Sequence, residues 1–483
     1  MEKKLFQAFL ITILFLIFWS YIAPKKQPQP PPPQEVVQKE FVGEIKEKQT
    51  PTDLIVTPEE EKQIDLPQAT IGNFIVTYSP SGGYIKEISI VGDENGLPFK
   101  NIGYIPQDQD KEFISLVEAN KIVFTGPGGE EKEFVFGADT VEINLSPFPA
   151  RPIILFSNYL APSMLNQRYQ EVFYSQDGII KRKGGKKVKP ADYKGVNFAG
   201  ARDRYYCISL LKGTYDIKWT KENSTSHLYL LSPPSKIALY LGPQKQQNLK
   251  PYGLGGIIYY GFFHIIAIGM TKVLYLLFAL TKNWGLAIIA FSVLIYFILF
   301  PFTAKSTKAM KRMQEIQPEV EALKEKHKDN PQKMQKETME IYRKYKINPL
   351  GGCLPLFFQL PVFMALYQVL FRLVDLKEAH FLWIKNLTLP DRLFALPFTI
   401  PVVNVKYFNL LPLLVMILGL IQQKIMTSST APSQQKSMGL FMSVFIGIIF
   451  YNFPSALVLY WFTQNLLTLS YQSRLARTRA ETT

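Results

Sequence analysis

Trp284-Gly-Leu-Ala-Ile-Ile-Ala-Phe-Ser-Val-Leu-Ile-Tyr-Phe-Ile-Leu-Phe-Pro-Phe-Thr303 is a run of twenty residues without a charge. At about 1.5 Å of helical rise per residue it reaches about 30 Å, the thickness of the hydrocarbon core of a bilayer. It is followed by Lys305 to Ile347, which carries 12 Lys/Arg against 7 Asp/Glu. Beyond that stretch come four more apolar runs: Cys353 to Val374, Tyr407 to Gln423, Gly439 to Tyr451 and Ala456 to Tyr471. The last two are joined by the tight Asn452-Phe-Pro454 turn. Before the opening run, Ile257 to Leu280 is apolar but interrupted by His264, Lys272 and several glycines. It reads as a helix lying along the membrane interface, with Lys272 and Lys282 at the headgroups; a true span is the alternative.

The composition points the same way. Of 483 residues, 47% are apolar and only 19% charged, and the net charge is +15. Soluble chains carry about 25% charge. From Pro24 to Lys250 there are 28 basic and 27 acidic residues, so the excess lies in the apolar remainder. A surplus that flanks apolar runs is the positive-inside bias rather than a nucleic-acid footprint, and leaves the ribosome as the one plausible RNA partner. Two cysteines exclude a disulfide scaffold.

At the N-terminus, Leu5 to Ile22 is an uncharged run of 18 residues after a short basic start. It is expected to be an uncleaved anchor with its N-terminus inside; a cleaved signal peptide is the competing reading. Pro24 to Pro33 contains six prolines and is expected to be a semi-rigid spacer. From about residue 55 to 250, short β-branched and aromatic runs alternate with turn signals. Phe74-Ile-Val-Thr-Tyr78, Ile88-Ser-Ile-Val91, Lys121-Ile-Val-Phe124, Phe134-Val-Phe136 and Ser226-His-Leu-Tyr-Leu-Leu231 are the clearest, and they predict an all-β sandwich.

The expected architecture is a multi-domain membrane protein. An α-helical transmembrane bundle, N-terminal anchor plus five-helix core, carries an all-β periplasmic sandwich domain. The expected divisions are an anchor (1–23), a linker (24–54), the β domain (55–250) and an interfacial helix (251–283). Spans follow at 284–303, 349–374, 406–424, 438–452 and 455–472. Between them lie a cytoplasmic helical hairpin (304–348), a periplasmic loop (375–405) and a cytoplasmic loop (425–437), and a basic tail (473–483) ends the chain. With the N-terminus inside, the basic hairpin, Lys424, Lys436 and the tail arginines all fall inside, and the loop of three acids and three bases falls outside. Cys207 and Cys353 then lie on opposite sides, so they cannot pair.

Two function classes lack their residues. No Asp or Glu lies inside the five C-terminal spans, where an ion-coupled transporter would keep one, and no two halves repeat each other. No Walker loop, HExxH or GxSxG motif is present, and the chain has four histidines. No catalytic residue, metal site or cofactor is expected. An envelope enzyme or receptor would need a concave cluster of carboxylates and aromatics in 55–250.

The spans instead carry uncharged polarity. Ser292, Tyr296 and Thr303 share one helical face, as do Trp461, Gln464, Asn465 and Thr468. Gln359 lies one or two turns inside the third span, and Gln422 ends the fourth. Amides exposed to lipid cost several kcal/mol each, so these groups must face each other or face water. Either they hold the helices together by hydrogen bonds, or they line a wetted groove open to the cytoplasm that accepts polar segments of a client. Several runs hold only about 13 to 17 apolar residues, short enough to thin a bilayer locally. In the hairpin, Met310, Met313, Met334 and Met339 lie on a thin apolar stripe. The two helices bury it against each other, or it offers a soft surface to many apolar partners.

Asn283-Trp-Gly285, Asn348-Pro-Leu-Gly-Gly-Cys-Leu-Pro-Leu-Phe-Phe-Gln-Leu-Pro361, Phe381-Leu-Trp-Ile384 and Phe453-Pro-Ser-Ala-Leu-Val-Leu-Tyr-Trp461 resemble the YidC-type membrane protein insertases of Gram-negative bacteria. The resemblance covers nearly the whole chain. It implies an inner-membrane insertase and chaperone that receives nascent membrane proteins and releases their spans into lipid. The implied partners are these clients, membrane lipids, the ribosome and, for larger substrates, components of the Sec translocon. It also implies that the hairpin meets the client first. The family's groove carries an arginine at the position that is Tyr296 here. Ser292 falls at a small-hydroxyl substrate-contact position and Trp461 at the aromatic groove position of the last span. Hydration alone, or a nearby base such as Lys305, is expected to replace that arginine.

Overall fold

The computed structural model describes residues 66–92, 97, 99–147, 151–159, 170–327, 330–348, 354–377, 379–400, 405–427 and 433–480. The expected anchor, the proline-rich spacer and Cys353 lie outside the described residues. Contacts divide the chain at Ile258 into a β unit and a helical unit.

In the β unit, alternation of buried and half-buried residues, as in Phe74–Ser79 and Thr140–Ser146, gives strands one apolar face each. They pair antiparallel into sheets of eight and nine strands. In the first, a meander of Gln68–Ile71, Phe74–Ser79, Tyr84–Ile90 and Phe99–Ile102 meets Ile153–Tyr159, which pairs with the much later Thr225–Leu230. One core joins the two sheets. Phe74 meets Phe136 at 6.0 Å between ring centroids and Tyr78 meets Phe124 at 5.8 Å, each pair taking one ring from each sheet. This is a large β-sheet-rich domain of face-to-face sheets. It extends past residue 250, because Leu249, Leu254 and Ile257 are fully buried beside Phe173, Phe198, Cys207 and Tyr240. Burial raises the Cys207 thiol well above its ordinary pKa, so it stays protonated and inert.

The helical unit contains α1 (His264–Thr281), α2 (Trp284–Glu315), α3 (Gln317–Lys326), α4 (Pro331–Lys344), α5 (Leu354–Arg372), α6 (Leu410–Met426), α7 (Ser433–Phe450) and α8 (Ser455–Ala480). Among the described residues, Gly261–Thr281 and Trp284–Glu315 are long and apolar enough to cross a membrane; Leu410–Met426 and Gly439–Phe450 are shorter apolar helices. The α2 helix does not stop at Thr303. It runs unbroken to Glu315, through Pro301 and into the basic stretch. The hairpin is therefore α3 and α4 only, and Ile316, Val320 and Ile347 close it with Met313, Ile341 and Tyr342. Residues 375–405 are not featureless either: Phe394–Ile400 pairs with Val405–Phe408 as a two-stranded ribbon.

One end of the helical unit is tied by polar side chains. Asn283 caps α2 by accepting from the Leu286 N–H at 3.1 Å. Trp284 stacks on Phe278 at 4.2 Å. Gly285 is required because the ring of Phe381 lies where any Cβ would sit. Two segments nearly a hundred residues apart, Asn283-Trp-Gly285 and Phe381-Leu-Trp-Ile384, thus meet. Trp383 donates its indole N–H to the buried Asp391 at 3.1 Å, and the same carboxylate oxygen accepts the Leu410 and Leu411 N–H groups at 2.8 and 2.9 Å. A carboxylate at the start of α6 satisfies donors that a helix end leaves open and complements its dipole. Asn409 donates to the Tyr451 carbonyl at 2.7 Å, and Ala456 N–H donates to Leu387 O at 3.0 Å. These bonds fasten the loop to α6, α7 and α8.

Candidate functional site

Away from that belt, α2, α5 and α8 enclose a cavity of about 260 Å³. From α2 it is lined by Tyr296, Leu299, Thr303, Ser306, Thr307 and Met310, spaced at i, i+3, i+7, i+10, i+11 and i+14. That is one continuous helical stripe. From α8 come Trp461, Gln464, Asn465, Thr468 and Gln472, the same kind of stripe, and α5 contributes Gln359. None of these side chains carries a charge.

The polar groups do two things at once. Some tie helices: Gln464 donates to the Ser292 carbonyl at 2.8 Å, Gln422 donates to the Asn465 carbonyl at 2.7 Å, Gln359 donates to the Tyr460 hydroxyl, and Tyr296 donates to the Leu467 carbonyl at 3.3 Å. Others line the hollow, Thr468 and Gln472 among them. Gln472 is 8% exposed, and its carbonyl oxygen is buried without a hydrogen-bond partner. Trp461 forms an apolar wall, its ring 5.4 Å from that of Phe363 and 5.3 Å from that of Phe450. A buried amide oxygen without a donor costs about 1–3 kcal/mol. The hollow is roomy enough for water, and its amides and hydroxyls lie among apolar walls.

Of the residues singled out from sequence, Tyr296, Thr303, Gln359, Trp461, Gln464, Asn465 and Thr468 come together here. Ser292 does not. It is fully buried, and its hydroxyl is spent on the Ile288 carbonyl of its own helix at 2.6 Å. Gln422 stands behind the wall, acting through Asn465. Met310 lines the cavity instead of the hairpin stripe, Met313 packs in the hairpin core, and Met334 and Met339 are half-buried on α4. Lys305 is exposed and does not line the hollow. Leu299, Ser306, Thr307 and Gln472 were not foreseen. Extending each polar face by one more turn finds Ser306, Thr307 and Gln472, whereas Leu299 is an apolar residue within the face already read.

The β unit has one strongly charged hollow, of about 230 Å³, lined by Asp108, Lys111, Glu130, Glu131, Lys132 and Arg151 among others. Its charges are largely paired. The buried Lys132 ammonium meets Asp108 at 2.9 Å and donates to the Gly82 carbonyl at 2.7 Å; Lys111 meets Glu130 at 2.6 Å and Asp108 at 3.1 Å. The hydrogen bond from Lys111 holds Glu130 down to about 2, and burial lowers Lys132 against the opposing pull of Asp108. Asp108 and Glu130 are thus held by Lys111 and Lys132. Ser157 and the buried His227 pair at 2.8 Å, where burial lowers the imidazole pKa. This pair packs strands Ile153–Tyr159 and Thr225–Leu230.

A family model described as 60Kd inner membrane protein matches residues 276–481, which contain every residue of the cavity. The membrane protein insertase YidC of Pelobacter propionicus is 29% identical, covering 98% of this chain and 98% of that protein. The membrane protein insertase YidC of Syntrophobacter fumaroxidans is 41% identical over 49% of this chain and 43% of its own length. A solved structure described as an active YidC insertase with the first transmembrane domain resolved is 20% identical, with a TM-score of 0.44, covering 84% of this chain and 93% of that one. Over nearly its whole length at 29% identity, and over residues 276–481 by the family model, the chain is similar to the YidC-type membrane protein insertases.

Proposed function

We propose that the cavity is a client groove: the polar flank of a nascent membrane protein enters it from the cytoplasm while the adjoining apolar segment slides into lipid. The observation that carries this reading is the uncharged hollow between α2, α5 and α8, with hydroxyl and amide side chains along both helical stripes. The driving force is partition of the client's apolar segment, at about 25 cal/mol per Å² of area removed from water. The groove lowers the cost of desolvating the polar flank that must cross.

In this reading α2, α5, α6, α7 and α8 span the inner membrane and α1 lies along its outer surface. If α1 crossed as well, every later segment would change sides, and the hairpin with its 12 Lys/Arg would face outward, against the positive-inside bias. The hairpin, Lys424, Lys436 and the basic tail then face the cytoplasm, where the ribosome delivers clients. The β unit faces the periplasm, where Sec components are available to it. No bond is made or broken in this scheme.

The test is photocrosslinking from the cavity wall to a ribosome-bound nascent chain bearing one short span. Probes at positions 296, 461 and 468 are expected to capture the client. A probe at 292, behind the wall, is expected to capture about tenfold less, since crosslinking requires contact. Equal yields from 292 and 468 would contradict the groove.

A further inference from the structure

We infer that this groove selects clients whose translocated flank is polar but uncharged, and that it gives an acidic flank no help. The inference rests on the groove reading above and specifies its client class.

The cavity's hydrogen-bonding groups, among them Tyr296, Thr303, Gln359, Thr468 and Gln472, are all neutral at physiological pH. The neighbouring bases do not supply a charge. Lys305 and Lys308 are exposed outside the lining, and the Lys311 ammonium is held by the Leu475 carbonyl. A carboxylate drawn into such a hollow loses its water without meeting a cation, the costliest kind of desolvation. The Tyr296 hydroxyl is itself committed to the Leu467 carbonyl, so it offers an anion little.

The experiment uses the full-length protein in proteoliposomes without a membrane potential. Single-span clients differ only in a short flank carrying two Asn, two Asp or two Lys, and the protease-protected fraction is read. The Asn flank is expected to insert about fivefold better than the Asp flank, since an unpaired buried charge costs more than a satisfied amide. The ratio is expected to hold within about twofold between ~50 and ~500 mM salt, because no fixed charge in the groove is there to be screened. Tyr296→Arg, and independently Thr303→Lys should Tyr296→Arg fold poorly, is expected to reverse the preference. An Asp flank inserted by the wild type as well as the Asn flank, or better, overturns the inference while leaving the groove in place. An Asn-flanked client that inserts without crosslinking from position 468 overturns the groove itself, and this inference with it.

Discussion

Gln359→Leu, Thr468→Val and Gln472→Leu, combined in one chain, are expected to lower client insertion about a hundredfold while the helical unit stays folded. The three side chains come from two helices and line the same hollow. The replacements keep their volume and remove their hydrogen-bonding capacity, so the hollow becomes dry rather than filled. If each lost polar partner raises the barrier for the client's flank by about 1 kcal/mol, three raise it by about 3, and 1.4 kcal/mol corresponds to a factor of ten. Only one helix tie is lost, the Gln359 bond to the Tyr460 hydroxyl, so the fold is expected to persist. The belt around Asp391 and Asn409 and the Gln464 bond to Ser292 remain. Insertion in proteoliposomes, beside thermal unfolding in detergent, checks both halves of the expectation.

Removing Gln317 to Tyr345, with a short Gly-Ser link, is expected to reduce insertion by a similar factor for a different reason. The cavity stripe on α2 runs from Tyr296 to Met310 and continues through Met313 into the small hairpin cluster of Ile316, Val320 and Ile347. On the proposed reading, a client held by the hairpin is already beside the mouth of the cavity. Two linked contacts of this kind bind about 10² to 10⁴ more tightly than either alone. Few buried residues are lost with the hairpin, so the melting temperature of the remaining helical unit is expected to shift by only a few degrees. The contrasting deletion removes the β unit, and its boundary must follow the structure. Cutting at residue 230 would strand Lys236–Pro243 and the buried Leu249, Leu254 and Ile257, whereas a cut at Ile258 removes one complete core. Insertion of a short client is expected to survive that cut.

The apolar runs and the strand segments were legible because their signals are local: an uncharged run of bilayer length, or β-branched and aromatic residues between turns. Phe74–Ser79, Lys121–Thr125 and Thr225–Leu230 each fall within a residue or two of expectation. What was not legible depends on partners distant in the chain. No local signal tells Phe99–Ile102 to lie beside Ile153–Tyr159, and none attaches Leu249 to Ile257 to the β core, since an apolar run leading into membrane helices looks the same. The extent of α2 was hidden by Lys305 and Lys308, which read as the membrane edge although the helix continues through them. The cavity lining was legible as two polar faces. The exclusion of Ser292 was not, because a serine that returns its proton to its own helix looks, in sequence, like one that faces water.

The most direct measurement of the central claim is water access along α2 and α8 in the membrane. Single cysteines at 303 and 468, which line the hollow, and at 298, an exposed apolar position on α2, are placed in a chain with Cys207→Ala and Cys353→Ser. Each is treated in native membrane vesicles with a charged, membrane-impermeant thiol reagent that reacts only with a hydrated thiolate. The expected result is labelling at 303 and 468 roughly ten times faster or more than at 298, and only when the cytoplasmic face is exposed. Protection of all three positions alike, as in a dry seam or a lipid-facing surface, would contradict a water-filled groove.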